Sequence, residues 1–405
     1  MRRPKVISLF SGAGGLDYGF EAAGFETAAA VEMDHACCET LRANRKWAVI
    51  ESDIFAVSSK ELLETAELEK GEASLLVGGP PCQPFSKAGY WARGDAARLD
   101  DPRSNTLSAY LRVLEDTLPH AFLLENVEGL AYRGKDEGLK LLLKAIAGIN
   151  QRTRSNYRPT FQVLNAADFG VPQLRKRLIM VGARDGSQFQ FPMGAGDPTQ
   201  LSLFGDMTRT AWDAIGDVVL DRDEDLELTG RWAGLLPSIP EGHNYQWHTD
   251  RMDGEPLFGW RRHFWSFLLK LAKDLPSWTI QAQPGPASGP FHWDNRRLSM
   301  RELCRLQTFP DDVVIGGTRL AIQKQIGNAV PSLLTEVLGR EIRTQLLGLA
   351  PVRGGLKLLR VRRQPTPKAE KVQRVPRRYL ELRGEHSAHP GTGLGHGAQQ
   401  RYAQV

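Results

Sequence analysis

The residues best placed to do chemistry stand in one short run, Gly78-Gly79-Pro80-Pro81-Cys82-Gln83-Pro84-Phe85-Ser86. An apolar stretch, Ser74-Leu75-Leu76-Val77, leads into it and reads as a strand. The glycines and prolines then break regular structure and describe a stiff loop. Pro81 fixes its own φ and restricts Pro80, so the Cys82 thiol is held out with little backbone freedom. Free cysteine is often buried for packing alone, but packing would ask for no prolines on either side of it. The loop therefore marks Cys82 as a thiol nucleophile. A second loop, Phe10-Ser11-Gly12-Ala13-Gly14-Gly15-Leu16, joins a strand pattern to a helix pattern, and its glycines let backbone come close to a ligand. Glu32 follows Gly12 by 20 residues, a spacing that suits a ribose. The third glycine of the dinucleotide fingerprint is missing, because position 17 is Asp17. By itself the segment leaves S-adenosylmethionine and NAD both open, and the missing glycine leans toward the former.

Those groups need a scaffold. Residues 5–180 alternate short apolar strands with helical patterns, which predicts an α/β fold built on a doubly wound, mostly parallel sheet. Strands are expected at 6–10, 27–31, 75–77, 121–124, 161–165 and 178–182, and helices at 16–23, 35–44, 104–117 and 138–150. Such a sheet opens its ligand crevice at the carboxyl ends of the strands. The glycine loop, Glu32, Cys82 and Glu125 each fall just after a strand, so they converge on one site. Beyond Asp185 the pattern changes. Residues 186–295 are irregular and hold seven of the nine tryptophans, which reads as a second, smaller domain with those rings as its core. Helical patterning resumes at 299–307 and 331–347.

Bulk composition excludes some classes. No apolar run in the 405 residues approaches the ~20 needed to span a membrane. The five apolar residues after Met1-Arg2-Arg3-Pro4-Lys5 are too few for an export signal. Cys37, Cys38, Cys82 and Cys304 show no metal-type spacing, so no metal site is expected and reduced thiols in a cytoplasm fit. The net charge of +5 is unevenly placed: residues 351–405 hold 12 Lys/Arg against 3 Asp/Glu, leaving 40 against 44 in the rest.

In chain order, five segments resemble the DNA cytosine-5 methyltransferases, especially those of bacterial restriction-modification systems. They are the loop from Phe10 to Gly15, the Cys82 loop, Glu125-Asn126-Val127, Gln173-Leu174-Arg175-Lys176-Arg177, and Gln325-Ile326-Gly327-Asn328-Ala329-Val330-Pro331. Together they spread over most of residues 5–340. The resemblance implies a Rossmann-like, S-adenosylmethionine-dependent catalytic fold with a smaller target-recognition domain. It implies that Phe10, Ser11, Gly12, Gly14, Gly15, Leu16 and Pro81 surround the cofactor. Glu32 would bind the ribose hydroxyls and Asp53 the adenine amino group, with Met33 and Ile54 against the ring. Leu107 would close the pocket, and Asn328 and Val330 would return beside the methionine part. Asp53 in Ser52-Asp53-Ile54 also reads as a helix cap.

The implied reaction adds the Cys82 thiolate to carbon 6 of cytosine, which makes carbon 5 nucleophilic toward a methyl sulfonium. Glu125 would serve ring nitrogen 3, with its pKa raised by apolar Leu123 and Leu124, while Asn126 fixes the loop. Arg175 and Arg177 alternate and so share one face of an extended segment, suited to lowering the thiol pKa and binding the base; Gln173 reads as structural. The base must be flipped out of a duplex. Ser86, Lys87, Arg93, Arg98 and Arg103 would then bind DNA from a closing loop over 85–103, which otherwise reads as a floppy surface segment. Arg209, Arg231, Arg251, Arg261, Arg262 and His263 would be available for base edges.

The expected division is a catalytic and cofactor domain over 1–188, a target-recognition domain over 189–295, a catalytic return over 296–348, and a basic tail over 349–405. That tail reads as a disordered extension, with phosphate contact as the alternative. Partners implied are double-stranded DNA and, functionally, a cognate restriction endonuclease, with the protein a monomer in a prokaryotic cytoplasm and no membrane involved. An RNA-methylating enzyme and a non-catalytic binding module are the competing readings. The long insertion over 190–295 argues against the first, and the joint presence of Cys82, Glu125, Arg175 and Arg177 against the second.

Overall fold

The computed structural model describes residues 3–81, 105–131, 137–194, 208–258 and 264–383. The chain opens with β1 (Lys5–Leu9), α1 (Gly15–Ala22), β2 (Glu26–Glu32), α2 (His35–Asn44), β3 (Ala48–Glu51), α3 (Ser59–Thr65) and β4 (Leu75–Gly78). It continues through α4 (Asn105–Thr117), β5 (Ala121–Val127), α5 (Glu137–Thr153), β6 (Thr160–Asn165) and β7 (Lys176–Ala183). Among the described residues seven strands make one sheet in the order β3-β2-β1-β4-β5-β7-β6. Strands β1 to β5 are parallel, and β7 runs antiparallel between β5 and β6. The α/β fold is as expected. Strand β3 and helix α3 had no counterpart in the sequence pattern, because a half-exposed edge strand of four residues shows no clear periodicity.

Burial explains why the central strands read as continuous apolar runs. Val6, Leu75, Val77 and Leu123 face one apolar layer with Leu16 and Phe20 of α1. Ile7, Leu76 and Phe122 face the other, with Tyr110 of α4 and Ile146 of α5. Each fully buried side chain of this size stabilises the fold by about 1.5–3 kcal/mol relative to exposure. The chain visits β2 and β3 on one side of β1, then returns to β4 and β5 on the other. That reversal opens a crevice beyond the carboxyl ends of β1 and β4.

The second part is irregular. Between 208 and 298 the repeating structure is α6 (Ala211–Ile215), short 3-10 turns, and isolated bridges such as Phe267 to Ser288 and Lys270 to Phe291. Leu235, Leu236, Ile239, Tyr245 and Leu268 form its own apolar cluster, with Trp232 and Trp247 packed against it. Trp293 is buried in another cluster that reaches α7 (Met300–Leu306) and α8 (Arg319–Asn328). Trp265 departs from the expected core role: it is 50% exposed, edge-on to Trp278 at 5.3 Å. Trp260 lies outside the described residues.

The expected disordered tail needs correction over 349–383. After α9 (Ser332–Gln345) the chain runs as a strap across the molecule to α10 (Arg377–Leu380). Arg360 pairs with Asp311 at 2.7 Å and Arg363 with Asp217 at 2.5 Å. Glu370 meets Lys273 at 2.9 Å. Tyr379 is buried against Trp232 and donates its hydroxyl to the Arg231 carbonyl at 2.7 Å. Composition misled because it counts the strap's cations without the distant carboxylates that neutralise them. Residues 384–405 lie outside the described residues.

Candidate active site

At the end of β1 the backbone turns sharply, with Phe10, Gly12 and Gly14 all left-handed at φ 55, 54 and 83°. Gly14 then caps α1, and a Cβ on Gly15 would stand 2.4 Å from the Val330 carbonyl oxygen. Val330, far away in sequence, therefore lies directly on this loop, while Asn328 is exposed at the end of α8. Leu16 is buried below, and Ser11 donates to the Ser8 hydroxyl at 2.9 Å.

Glu32 ends β2. Its Oε2 accepts from the Gly12 N–H at 2.8 Å, and its Oε1 from the Met33 and Asp34 N–H groups at 2.9 and 2.8 Å. The carboxylate is thus oriented by backbone, and Oε2 keeps capacity for a hydroxyl donor. Met33 is 69% exposed, an apolar side chain left without cover beside that carboxylate. Asp53 is exposed and accepts from the Phe55 N–H at 3.1 Å, a turn rather than the helix cap that its sequence also suggested. Phe10, Ile54 and Leu107 share one apolar cluster. An acidic oxygen, uncovered apolar side chains and a glycine loop with open space at Gly12 fit an adenosyl ligand.

Beneath the loop is a group that the sequence reading missed. Asp17 is wholly buried, accepting from the Ser8 hydroxyl at 3.1 Å and the Thr27 hydroxyl at 3.0 Å. Burial pushes its carboxyl up to about 6, against the pull of those two hydroxyls. Its replacement of the third fingerprint glycine was the available signal.

Beyond β4 the loop is pinned twice. Asn126 donates to the Pro80 carbonyl at 3.2 Å, and Thr106 to the Pro81 carbonyl at 3.2 Å. A Cβ on Gly79 would lie 2.7 Å from Glu125 Oε2, so only glycine allows this approach. Cys82, Ser86, Lys87, Arg93, Arg98 and Arg103 lie outside the described residues. The thiols that are described make poor nucleophiles: burial pushes Cys38 and Cys304 up to about 12, and Cys37 higher still.

Glu125 is buried on β5, and Arg177 Nε of β7 stands 2.7 Å from its Oε1. Burial holds the Glu125 carboxyl above its ordinary value, with Arg177 and then Arg175 pulling the other way. The two arginines differ more than their alternation suggested. Arg175 is 1% exposed and gives its guanidinium to the carbonyls of Ile280 at 3.2 Å and Gly327 at 2.7 Å. Its fork joins three stretches of chain, whereas Arg177 is the one in contact with Glu125. Gln173 is a similar joint, donating to the Leu306 carbonyl at 3.2 Å and accepting from the Ile280 N–H at 3.0 Å.

Among the arginines expected at base edges, Arg209 donates to the Arg360 carbonyl at 2.6 Å and Arg231 stacks over Trp232 at 4.7 Å. Arg251 also has partners, and Arg261, Arg262 and His263 lie outside the described residues. Among the described residues no group of three His, Cys, Asp or Glu is arranged to hold a metal, and no helix is long and apolar enough to cross a membrane.

The chain resembles known proteins over most of its length. It is 39% identical over 370 residues to the Type II methyltransferase M.SacI of Streptomyces achromogenes, covering 84% of this chain and 93% of that protein. It is 33% identical over 348 residues to the Type II methyltransferase M1.HphI of Haemophilus parahaemolyticus, covering 83% and 86%. In fold it resembles the methyltransferase EhMeth of Entamoeba histolytica, with a TM-score of 0.58 at 16% identity over 85% of this chain and 99% of that one. The Spodoptera frugiperda DNMT2 superposes similarly, with a TM-score of 0.57 at 15% identity over 82% and 98%. Residues 4–344 match the family described as C-5 cytosine-specific DNA methylase, and with the site geometry above this makes the chain a member of that family of DNA methyltransferases.

Proposed function

We propose that this methyltransferase uses S-adenosylmethionine to modify a flipped-out cytosine in a specific duplex sequence, through a transient bond to Cys82. The observation that carries the reading is the meeting of Glu125, the Pro80-Pro81 segment and the glycine loop at the carboxyl ends of the central strands β1, β4 and β5.

Phe10, Glu32, Met33, Asp53, Ile54 and Leu107 would hold the adenosyl part, with Ser11 to Leu16, Pro81, Asn328 and Val330 around the rest. Bound S-adenosylmethionine supplies an electrophilic methyl on a positively charged sulfur. The Cys82 thiolate adds to carbon 6 of cytosine, and the electron pair of the 5,6 double bond moves toward carbon 5 and ring nitrogen 3. Glu125, held protonated more readily by its burial, donates to nitrogen 3 and stabilises that charge. Carbon 5 takes the methyl, a base removes its remaining proton, and the returning electron pair expels Cys82 and restores the ring. Arg177 orients Glu125 and would donate to the base oxygen, while Arg175 holds the segment in place.

Ser86, Lys87, Arg93, Arg98 and Arg103 would grip phosphates as their loop closes, and residues 189–295 would read the target. The Type II names of the relatives favour an enzyme of the bacterial cytoplasm that protects host DNA from a cognate restriction endonuclease, and one pocket for one flipped base suits a monomer.

The nucleophile is tested with Cys82→Ser. Calorimetry should show unchanged S-adenosylmethionine binding, while a tritium-methyl assay on genomic DNA lacking the modification shows no transfer. Parental turnover by the variant would refute the assignment.

A further inference from the structure

Seven of the strap's cations fall into two groups. Arg360, Arg363 and Arg383 are fasteners, paired with Asp311, Asp217 and Glu255 at 2.7, 2.5 and 2.5 Å. Lys368, Lys371, Arg374 and Arg377 are exposed and have no ion-pair partner among the described residues. These four recur at every third position.

The backbone N–H groups that attach the strap recur at the same interval, in a different phase, while the Lys368 carbonyl accepts from the Lys273 ammonium at 3.3 Å. The Glu370 N–H donates to Glu241 Oε1 at 2.8 Å, and the Gln373 N–H to the Pro237 carbonyl at 3.0 Å. Pro376, three residues on, opens the turn that buries Tyr379. Residues 368–376 form no helix or strand, Pro365 and Pro367 precede them, and Pro376 has φ −60° and ψ 141°. Attachments three residues apart fit a chain of the polyproline type, which has three residues per turn and no internal hydrogen bonds, so that positions three apart share an edge. One edge, through 370, 373 and 376, is fastened to the protein, which leaves the cationic edge toward water. Along 368–374 its charges repeat at about 9 Å, and Arg377, the first residue of α10, follows them.

We propose that this edge is a rail that grips the phosphate backbone of duplex DNA outside the catalytic pocket; the proposal rests on the reading of the protein as a DNA methyltransferase. The remainder of the chain, with 40 Lys/Arg against 44 Asp/Glu, offers DNA no general attraction, so local cationic stripes must supply it. Each DNA strand presents a phosphate every ~3.4 Å along the helix axis, so charges about 9 Å apart can each meet a separate one.

The test replaces the four together, Lys368→Gln, Lys371→Gln, Arg374→Gln and Arg377→Gln, leaving every fastener intact. A single Lys371→Gln variant serves as a milder probe should the quadruple variant melt early. DNA affinity is measured by fluorescence anisotropy across a salt series, on a duplex that the parent methylates and on one that it does not. Each lost phosphate contact should reduce the slope of log affinity against log salt by about 0.9, so the quadruple variant should lose about 3.6 and the single variant about 0.9. The loss should be equal on both duplexes, because phosphate contacts carry no sequence information. Turnover at saturating DNA and the affinity for S-adenosylmethionine should not move. An unchanged slope, or a loss confined to the methylated duplex, overturns the rail. If the parent methylates no DNA, it is the enzymatic reading that has failed.

Discussion

The sheet and the irregular part both remove charged groups from water, and they do it differently. In the sheet, Asp17 is wholly buried with two hydroxyls for company and no cation among the described residues. In the irregular part, Lys273 is 4% exposed and faces Glu241, 6% exposed, at 2.6 Å, with Glu370 at 2.9 Å. Glu302 at 1% exposure and Arg296 form a comparable pair at 2.7 Å. Strand ladders and apolar layers already fix the sheet, so buried carboxyls there need not act as fasteners and can keep raised pKa values, as Glu125 does. The irregular part has few ladders, and opposite charges fasten it instead.

Breaking each region at its own kind of charge separates the two roles. Glu125→Ala should lower turnover by about 100- to 10,000-fold, the range for a positioned acid or base, which is about 3–5 kcal/mol on the barrier. Its melting temperature and cofactor affinity should stay near the parent's, and single-turnover methyl transfer on DNA is the measurement. A loss below tenfold would leave nitrogen 3 without its partner. Lys273→Met should do the converse. It strands the buried Glu241 carboxylate, at a cost of about 3–4 kcal/mol, toward the lower end for a broken buried pair because Glu370 stays half in water. Limited proteolysis should then cut between 230 and 300 and in the strap, while binding of the proposed S-adenosylmethionine at the carboxyl ends of β1 and β2 persists. Equal protection of both regions would mean that the charges do not fasten this part.

The same contrast explains what could be read in advance. Strands β1, β2, β4 and β5 were legible because burial on both faces leaves a continuous apolar signature bounded by glycine and proline. The positions of the glycine loop and Glu32 followed from them, since each stands at a strand end, whereas Glu125 lies inside β5, which runs on to Val127 beyond the expected end at 124. Side-chain partners were less accessible. Alternation placed Arg175 and Arg177 on one face, but nothing local showed that Ile280 and Gly327 would claim Arg175. The strap was misread for a related reason: its fasteners lie up to 150 residues away in sequence, as with Arg363 and Asp213. Asp17 was visible only as a missing glycine, because an aspartate in a first helical turn ordinarily faces solvent.

Asp17 provides the finest probe of the difference, since a charge held by hydroxyls should respond to pH where one held by a cation does not. Folding raises its pKa from 3.8 to about 6, so folding favours the protonated form. Its contribution to stability is full below about pH 3.8 and is lost as pH rises through 6. The span between 3.8 and 6 corresponds to at most about 3 kcal/mol. Asp17→Asn keeps the shape and an acceptor for the Thr27 hydroxyl, and has no charge to lose. Its stability relative to the parent, from urea unfolding, should therefore rise by up to about 3 kcal/mol between pH 4 and pH 7.5. Lys273→Met should instead lose stability against the parent over the same range, because it leaves a buried carboxylate without its cation. Parallel curves for Asp17→Asn and the parent would mean that folding does not raise the carboxyl's pKa, and that the sheet tolerates a bare buried charge as readily as the irregular part tolerates a paired one.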